Sequence, residues 1–507
     1  MPTLCDMTFA PIETATGPPA ELPLPPDTPS ASGRTLRGIV AVLVAVAICG
    51  VAAAASSGTF DADVGVPDRW DPRIERIADF VEGARELEFK HPVRVYFLNE
   101  AEYSVAINGV PKARTTKADR AEATRSAAFQ RAIGFVEGDP DVEAAQDDLA
   151  DSGTLAYYDI EKKVVNVRGT RLTANTRVTL AHELTHALQD QHFDLADRTT
   201  SGSSEEVAAI RTIVEGDAMT VENQYVEQLS DSERASYEKE YVAASEQAVK
   251  DLADVAAPLQ ASQLFPYAIG RPFVGWVEAT EGGHADPTRL DVVMRRPPRD
   301  TAATFDVSSA DKKRVRVAPP KLAGRRYLTD QVGAYSLFVM LSDRIDPVVA
   351  MDATDGWRGD SFTAAQTKRA GDATSRMCVS AAFAMATEDD AIQLDRAFGT
   401  WAAAMPADAA VEHSAKSRRV KLRTCDPGPA AKARGPIGSS SDSVAYPANR
   451  IDLARLLVEE GTGRPTAWCV ADAAVRKLTK AELTTSDLPA ERQAELRQQI
   501  ETAKADC

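Results

Sequence analysis

At 507 residues the chain is long enough for two or three domains, and 44% hydrophobic content gives them cores to bury. Asp and Glu (75) outnumber Lys and Arg (58), and the net charge of −17 argues against nucleic acid or anionic lipid surfaces as partners. Neither a G-x-x-x-x-G-K phosphate loop nor a G-x-G-x-x-G fingerprint occurs, so no nucleotide cofactor is indicated.

Residues 1–33 are rich in Pro and poor in aromatics, a composition that predicts a disordered tail. Residues 38–55 carry no charge and are rich in Val, Ile and Ala. As a helix they would be about 27 Å long, just enough to span a bilayer. Arg34 and Arg37 precede the stretch, and Asp61, Asp63 and Asp68 follow it. The positive-inside rule then leaves the N-terminus in the cytoplasm and the bulk of the chain outside it. Segment 34–57 reads as a retained signal anchor of a single-pass cell-membrane protein. The competing reading is a cleaved leader, since residues 52–57 offer small-residue cleavage sites.

Helical patterns cover residues 73–87 and 121–137. Residues 155–168 read as a hairpin with its turn near residues 159–162. Next comes the stretch that states a chemistry, His182-Glu183-Leu184-Thr185-His186. It lies within an apolar-periodic run (Val178, Leu180, Ala181, Leu184, Ala187, Leu188), with no Pro or Gly from Arg171 to Asp190, which predicts a partly buried helix. Side chains four apart share a helix face, so both imidazoles can point at one ion. Glu183 sits about 100° round from His182, where it can reach a metal-bound water without being a ligand. Two His with such a Glu is the pattern of a hydrolytic zinc site, which needs a third protein ligand and an open position.

Three carboxylates compete for that third place. Glu205 and Glu206 lie 19 and 20 positions after His186, but they follow Ser201-Gly202-Ser203-Ser204, where first-turn acids are explained by capping and the helix dipole. Glu215, 29 positions on, is flanked by Ile213, Val214, Ala218 and Met219, and an acid in such a stripe needs a partner cation. Gly216 beside it would let a second helix approach closely. Glu215 is the preferred ligand and Glu206 the reserve. Asp217 and Asp190 are candidates for orienting a ligand His. His192, six positions past His186, faces elsewhere and reads as a helix-end residue.

Further along, residues 205–255 form a long charged helical stretch, and residues 311–426 mix helix and strand. Residues 427–445 form a linker by their breakers, and residues 446–507 read as a compact helical domain. Trp357, in Gly356-Trp-Arg-Gly-Asp360, reads as a packed indole beside a turn. Four cysteines lie beyond the anchor, and in an exported chain an even number suggests disulfides. Their distribution in two blocks favours Cys378–Cys425 and Cys469–Cys507. Cys49 falls in the apolar segment, and Cys5 would be cytoplasmic.

The run Thr179-Leu-Ala-His-Glu-Leu-Thr-His-Ala-Leu-Gln-Asp-Gln-His-Phe-Asp-Leu195 resembles a family of largely uncharacterised bacterial metallopeptidases of the gluzincin type. So do Glu215-Gly-Asp-Ala218, Phe265-Pro-Tyr-Ala-Ile-Gly-Arg-Pro-Phe273, and Gly356-Trp-Arg-Gly-Asp360 with the strand after it, spanning roughly residues 70–405. The resemblance implies His182, His186 and Glu215 as zinc ligands and Glu183 as general base. It also implies an α+β architecture with a zincin-like metallopeptidase domain over residues 70–310. One departure is Pro297-Pro-Arg-Asp-Thr-Ala-Ala-Thr-Phe-Asp306, where relatives carry a run ending in His. No substrate is implied.

In such a site Glu183 would take a proton from the attacking water and return it to the leaving amine. Tyr267, Tyr157, Tyr158 and His284 are candidates for stabilising the oxyanion. Residues 164–168 would be the open edge strand to which an extended peptide adds. Two function classes follow. One is a membrane-anchored zinc peptidase acting on protein or peptide outside the cytoplasm. The other is a zincin-fold binding or scaffold protein of the cell envelope with little or no turnover.

Overall fold

The computed structural model describes residues 65–108, 116–151, 154–200, 202–368, 375–438, 440–483 and 488–507. The predicted tail and the predicted membrane span lie outside them. No helix among the described residues is long and apolar enough to cross a membrane. The fold is mixed α+β, 57% helical with two sheets.

The N-terminal half runs α1 (Glu75–Arg85), β1 (Arg94–Leu98), α2 (Glu100–Asn108), α3 (Lys117–Ala132), α4 (Val142–Asp151), β2 (Ala156–Asp159), β3 (Val164–Arg168) and α5 (Ala174–Phe193). It continues through α6 (Leu195–Thr200), α7 (Ser204–Glu227), α8 (Asp231–Asp251), α9 (Ala257–Glu278) and α10 (Thr288–Arg295). The hairpin falls where its turn residues place it. Its second strand is not the open edge that the sequence suggests. The sheet order is β1-β3-β2, with β1 parallel and β2 antiparallel to β3, so Val164–Arg168 is enclosed on both sides. The cause is a non-local partner, since β1 joins from 70 residues upstream (Arg94 against Val164). The strand that faces α5 with an unpaired edge is β2. The charged stretch after the zinc-type motif is two helices, interrupted where Ser230 caps α8.

Helix α5 starts because the Thr173 hydroxyl accepts the Thr176 amide at 3.2 Å, and it ends with Asp194 in the left-handed conformation. Its face bearing Leu180, Ala181, Leu184 and Leu188 belongs to one core, shared with α1 and the three-stranded sheet, while Phe193 reaches the second, larger core. Helix α7 also bridges the two. Ile213, Val214 and Met219 pack in the larger core, and Val221, Tyr225 and Val226 in the smaller. Where α7 meets α9, a Cβ on Gly216 would lie 2.2 Å from the Gly270 carbonyl. Only two glycines permit so close a crossing.

The second half adds α11 (Ala302–Phe305), β4 (Arg325–Asp330), α12 (Ala334–Ser342), α13 (Pro347–Asp355), β5 (Trp357–Lys368), β6 (Ser375–Met385), α14 (Glu388–Ala404), β7 (Glu412–Lys416) and β8 (Arg419–Cys425). Its five strands form an antiparallel sheet, β4-β5-β6-β8-β7, with Cys378 of β6 disulfide-bonded to Cys425 directly across on β8. The last helices are α15 (Ser440–Ser443), α16 (Ala445–Glu459), α17 (Arg464–Val475), α18 (Lys480–Leu483) and α19 (Ala490–Asp506). Cys469 in α17 is bonded to the terminal Cys507. These helices share the larger core with α9, and buried Arg450 ties them to Asp355 of α13 at 2.7 Å.

Candidate metal centre

Two helices build the site. His182 and His186 are one turn apart on α5, their rings 4.6 Å apart at 78°. Glu215 comes from α7. Its Oε2 lies 3.4 Å from His182 Nε2 and 3.4 Å from His186 Nε2. All three side chains are buried. Among the described residues they are the one group of His, Cys, Asp and Glu that could hold a metal ion. His186 Nε2 and both Glu215 oxygens are buried without a hydrogen-bond partner. Buried polar atoms are rarely left so, and a cation among them would satisfy all three.

The other face of each imidazole fixes its tautomer. His182 Nδ1 is 2.9 Å from Glu222 Oε2, and a carboxylate can only accept, so the ring donates from Nδ1 and Nε2 is the nitrogen whose proton a metal would displace. His186 Nδ1 is 3.0 Å from Gln189 Oε1. The amide orientation of Gln189 is set in turn, because its Nε2 donates to Asp217 Oδ2 at 2.7 Å and to the Val214 carbonyl at 3.1 Å. Asp217 is held by Arg85, whose Nε lies 2.8 Å from Oδ1, and Arg85 also donates to Asp291 at 3.0 Å. Both Nε2 atoms are thereby aimed at Glu215.

Charges in the site are strongly perturbed. Burial opposes charge on His182, but Glu215 and Glu222, one at each nitrogen, overcome it and push the ring up to about 10. Burial lowers His186. Burial would raise Glu215, yet the two imidazoles hold it well below the usual carboxylate range. Glu183 stands beside the donor group without joining it and accepts the Tyr158 amide at 2.8 Å, consistent with its place off the His182 face. Burial, reinforced by Glu215 and Glu222, pushes Glu183 up to about 8.

The remaining candidates separate. Glu205 is buried but accepts the Thr301 amide (3.0 Å) and hydroxyl (2.8 Å), and Glu206 accepts the Ser203 amide (3.0 Å) in a capping box, so neither joins the donor group. Asp190 accepts the Tyr158 hydroxyl at 2.8 Å and the Leu195 amide at 3.0 Å, so it fastens β2 to α5 rather than orienting a histidine. Tyr157 turns away to pack edge-on against Tyr103. His284 is exposed in the loop after α9. His192 Nε2 lies 2.8 Å from the Glu88 carbonyl. Trp357 is packed, its indole donating to Asp360 at 2.8 Å.

Of the oxyanion candidates, Tyr267 is the one whose buried hydroxyl lies against the site charges, within hydrogen-bonding reach of Glu215. Burial, with the charges of Glu215 and Glu183, raises its pKa well above normal. Sequence reasoning missed Glu222, Gln189 and Arg85. Glu222 was within reach of it, since seven positions bring a helix back to the Glu215 face. Gln189 is likewise three past His186 on its own face.

Comparison with protein families, with curated proteins and with solved structures finds no match for this chain.

Proposed function

We propose that the chain is a membrane-anchored zinc metallopeptidase of the gluzincin type, with a zincin-like domain, acting on peptide or protein outside the cytoplasm. The observation that carries it is the convergence of His182, His186 and Glu215 with Glu183 beside them. Zinc–ligand distances in tetrahedral geometry place neighbouring donors about 3.3–3.6 Å apart, the range of the two 3.4 Å separations; octahedral magnesium would need about 2.9 Å. Two nitrogens and one carboxylate also suit zinc better than calcium or magnesium, which take oxygen. Zinc, when bound, would lower the pKa of a water toward about 7 and polarise a substrate carbonyl.

The chain's own residues supply the rest. Glu183 accepts the proton of the attacking water and passes it to the departing amine. Tyr267 donates toward the developing oxyanion. The outer edge of β2, whose Tyr158 amide Glu183 already takes, is the strand edge beside the site to which an extended peptide would add. Burial of all four site side chains favours the second reading, a zincin-fold binding or scaffold protein of the envelope with little turnover.

Turnover of a diverse peptide library by wild type and Glu183→Gln at matched zinc content decides between them. The peptidase reading expects loss of 10² to 10⁴ in rate on substitution, on the order of a general base's contribution, and loss with chelator. Absence of any wild-type turnover leaves the scaffold reading. Equal turnover by the variant would remove Glu183 from the mechanism.

A further inference from the structure

The net charge of −17 conceals a local exception. Residues 312–329 contain seven Lys or Arg and no acid. Six of these, Lys312, Lys313, Arg316, Lys321, Arg325 and Arg326, are exposed, and none forms an ion pair among the described residues. Only Arg314 is paired, with Asp300 at 2.7 Å. Some surface cations elsewhere, among them Arg73, Arg177 and Lys162, sit on a carboxylate.

The strap is held in place. Near its start the Val315 amide donates to the Arg358 carbonyl at 2.7 Å, at the beginning of β5. Near its end a Cβ on Gly324 would lie 2.2 Å from the Gln366 carbonyl, close to the other end of that strand. Residues 315–324 therefore run the length of β5 before turning into β4, an outer strand of the sheet. Pro319 and Pro320 stiffen the run. Tyr327 fastens β4 to α3, its hydroxyl donating to Glu122 at 2.9 Å and its ring tilted against Phe129. The charges are thus presented from a fixed scaffold.

We propose that this strap docks on the phosphate headgroups of an anionic bilayer and sets which face of the ectodomain meets the membrane. The proposal rests on the anchor reading above. Only residues 56–64 separate the predicted span from Gly65, and nine residues reach at most about 30 Å. The ectodomain is therefore tethered to the lipid surface, where cations brought within about one Debye length, 8 Å, are attracted and acids repelled. Opposite forces on two parts of one body select an orientation. The whole-chain charge excludes anionic surfaces only on average.

The test is lysine acetylation of the full-length protein in nanodiscs, read by mass spectrometry at Lys312, Lys313 and Lys321 with exposed Lys239 as reference. In anionic discs at 0.1 M salt, labelling of the three should fall about fivefold relative to zwitterionic discs, recover at 0.5 M salt, and stay unprotected in detergent with soluble glycerophosphate. The triple variant Arg316→Glu, Arg325→Glu and Arg326→Glu should lose the protection. Equal labelling in both disc types overturns the proposal and leaves the anchor intact. Failure of the mature protein to enter discs overturns the anchor reading, and the docking with it.

Discussion

Glu205 and Glu215 are both buried carboxylates of α7, ten residues apart, and their surroundings drive them in opposite directions. Glu205 meets only neutral donors, the amide and hydroxyl of Thr301, and lies near Asp360; burial dominates and pushes it up to about 8. Glu215 meets two imidazoles, and their charge reverses the same burial penalty. Burial of an acid therefore does not mark a ligand. What marks it is the company of nitrogens that can share a cation.

The comparison breaks most sharply on metal content. Glu215→Gln should reduce zinc affinity by more than the 10–100-fold typical of an outer-shell change, whereas Glu205→Gln with Glu206→Gln should retain wild-type affinity. Competition with a chromogenic chelator reads both. Retention by the first variant with loss in the second would exchange their roles.

A smaller effect sharpens the comparison within the site itself. His182 leans on a carboxylate and His186 on a neutral amide held by Asp217 and Arg85. Glu222→Gln should weaken zinc binding 10–100-fold, as expected for an orienting carboxylate, while its amide oxygen still accepts from His182 Nδ1 in the apo protein. Gln189→Ala should weaken binding through a free ring rather than lost charge. If Glu222→Gln lowers the apo melting temperature and leaves zinc affinity unchanged, Glu222 is structural only.

Much of the site was legible because it is local. His182, Glu183 and His186 lie on one helix, and the apolar stripe around Glu215 identified an acid that needed a partner. Gly216 was legible as a point of close approach, and it meets Gly270 there. The disulfide pairs followed from the spacing of four cysteines. What escaped was set across the fold. The parallel partner of β3 enters from residues 94–98 and turns an expected edge into a central strand. Arg85 reaches Asp217 from 132 residues away, a pairing that no local pattern encodes.

The smallest predicted effect concerns Glu205 alone. Its carboxyl titrates near 8 in the folded protein against 4.5 for the ordinary group, so between those values the folded state keeps a proton that the unfolded chain has released. Stability contributed by this group is complete below about pH 4.5, declines as pH rises toward 8, and is level above that. Asp360, raised to about 6 by its own burial, adds a decline over the lower part of the same window. Glu205→Gln keeps an oxygen for the Thr301 donors and cannot ionise. The difference in unfolding free energy, variant minus wild type, should therefore be near zero at pH 4.5 and favour the variant by on the order of 1–3 kcal/mol at pH 8. Taking that difference cancels the other titrating groups, including those at the metal site. Chemical denaturation of both proteins with chelator present measures it. A difference that does not change between pH 4.5 and 8 would mean that Glu205 is ionised throughout, and that its hydrogen bonds to Thr301 outweigh its burial.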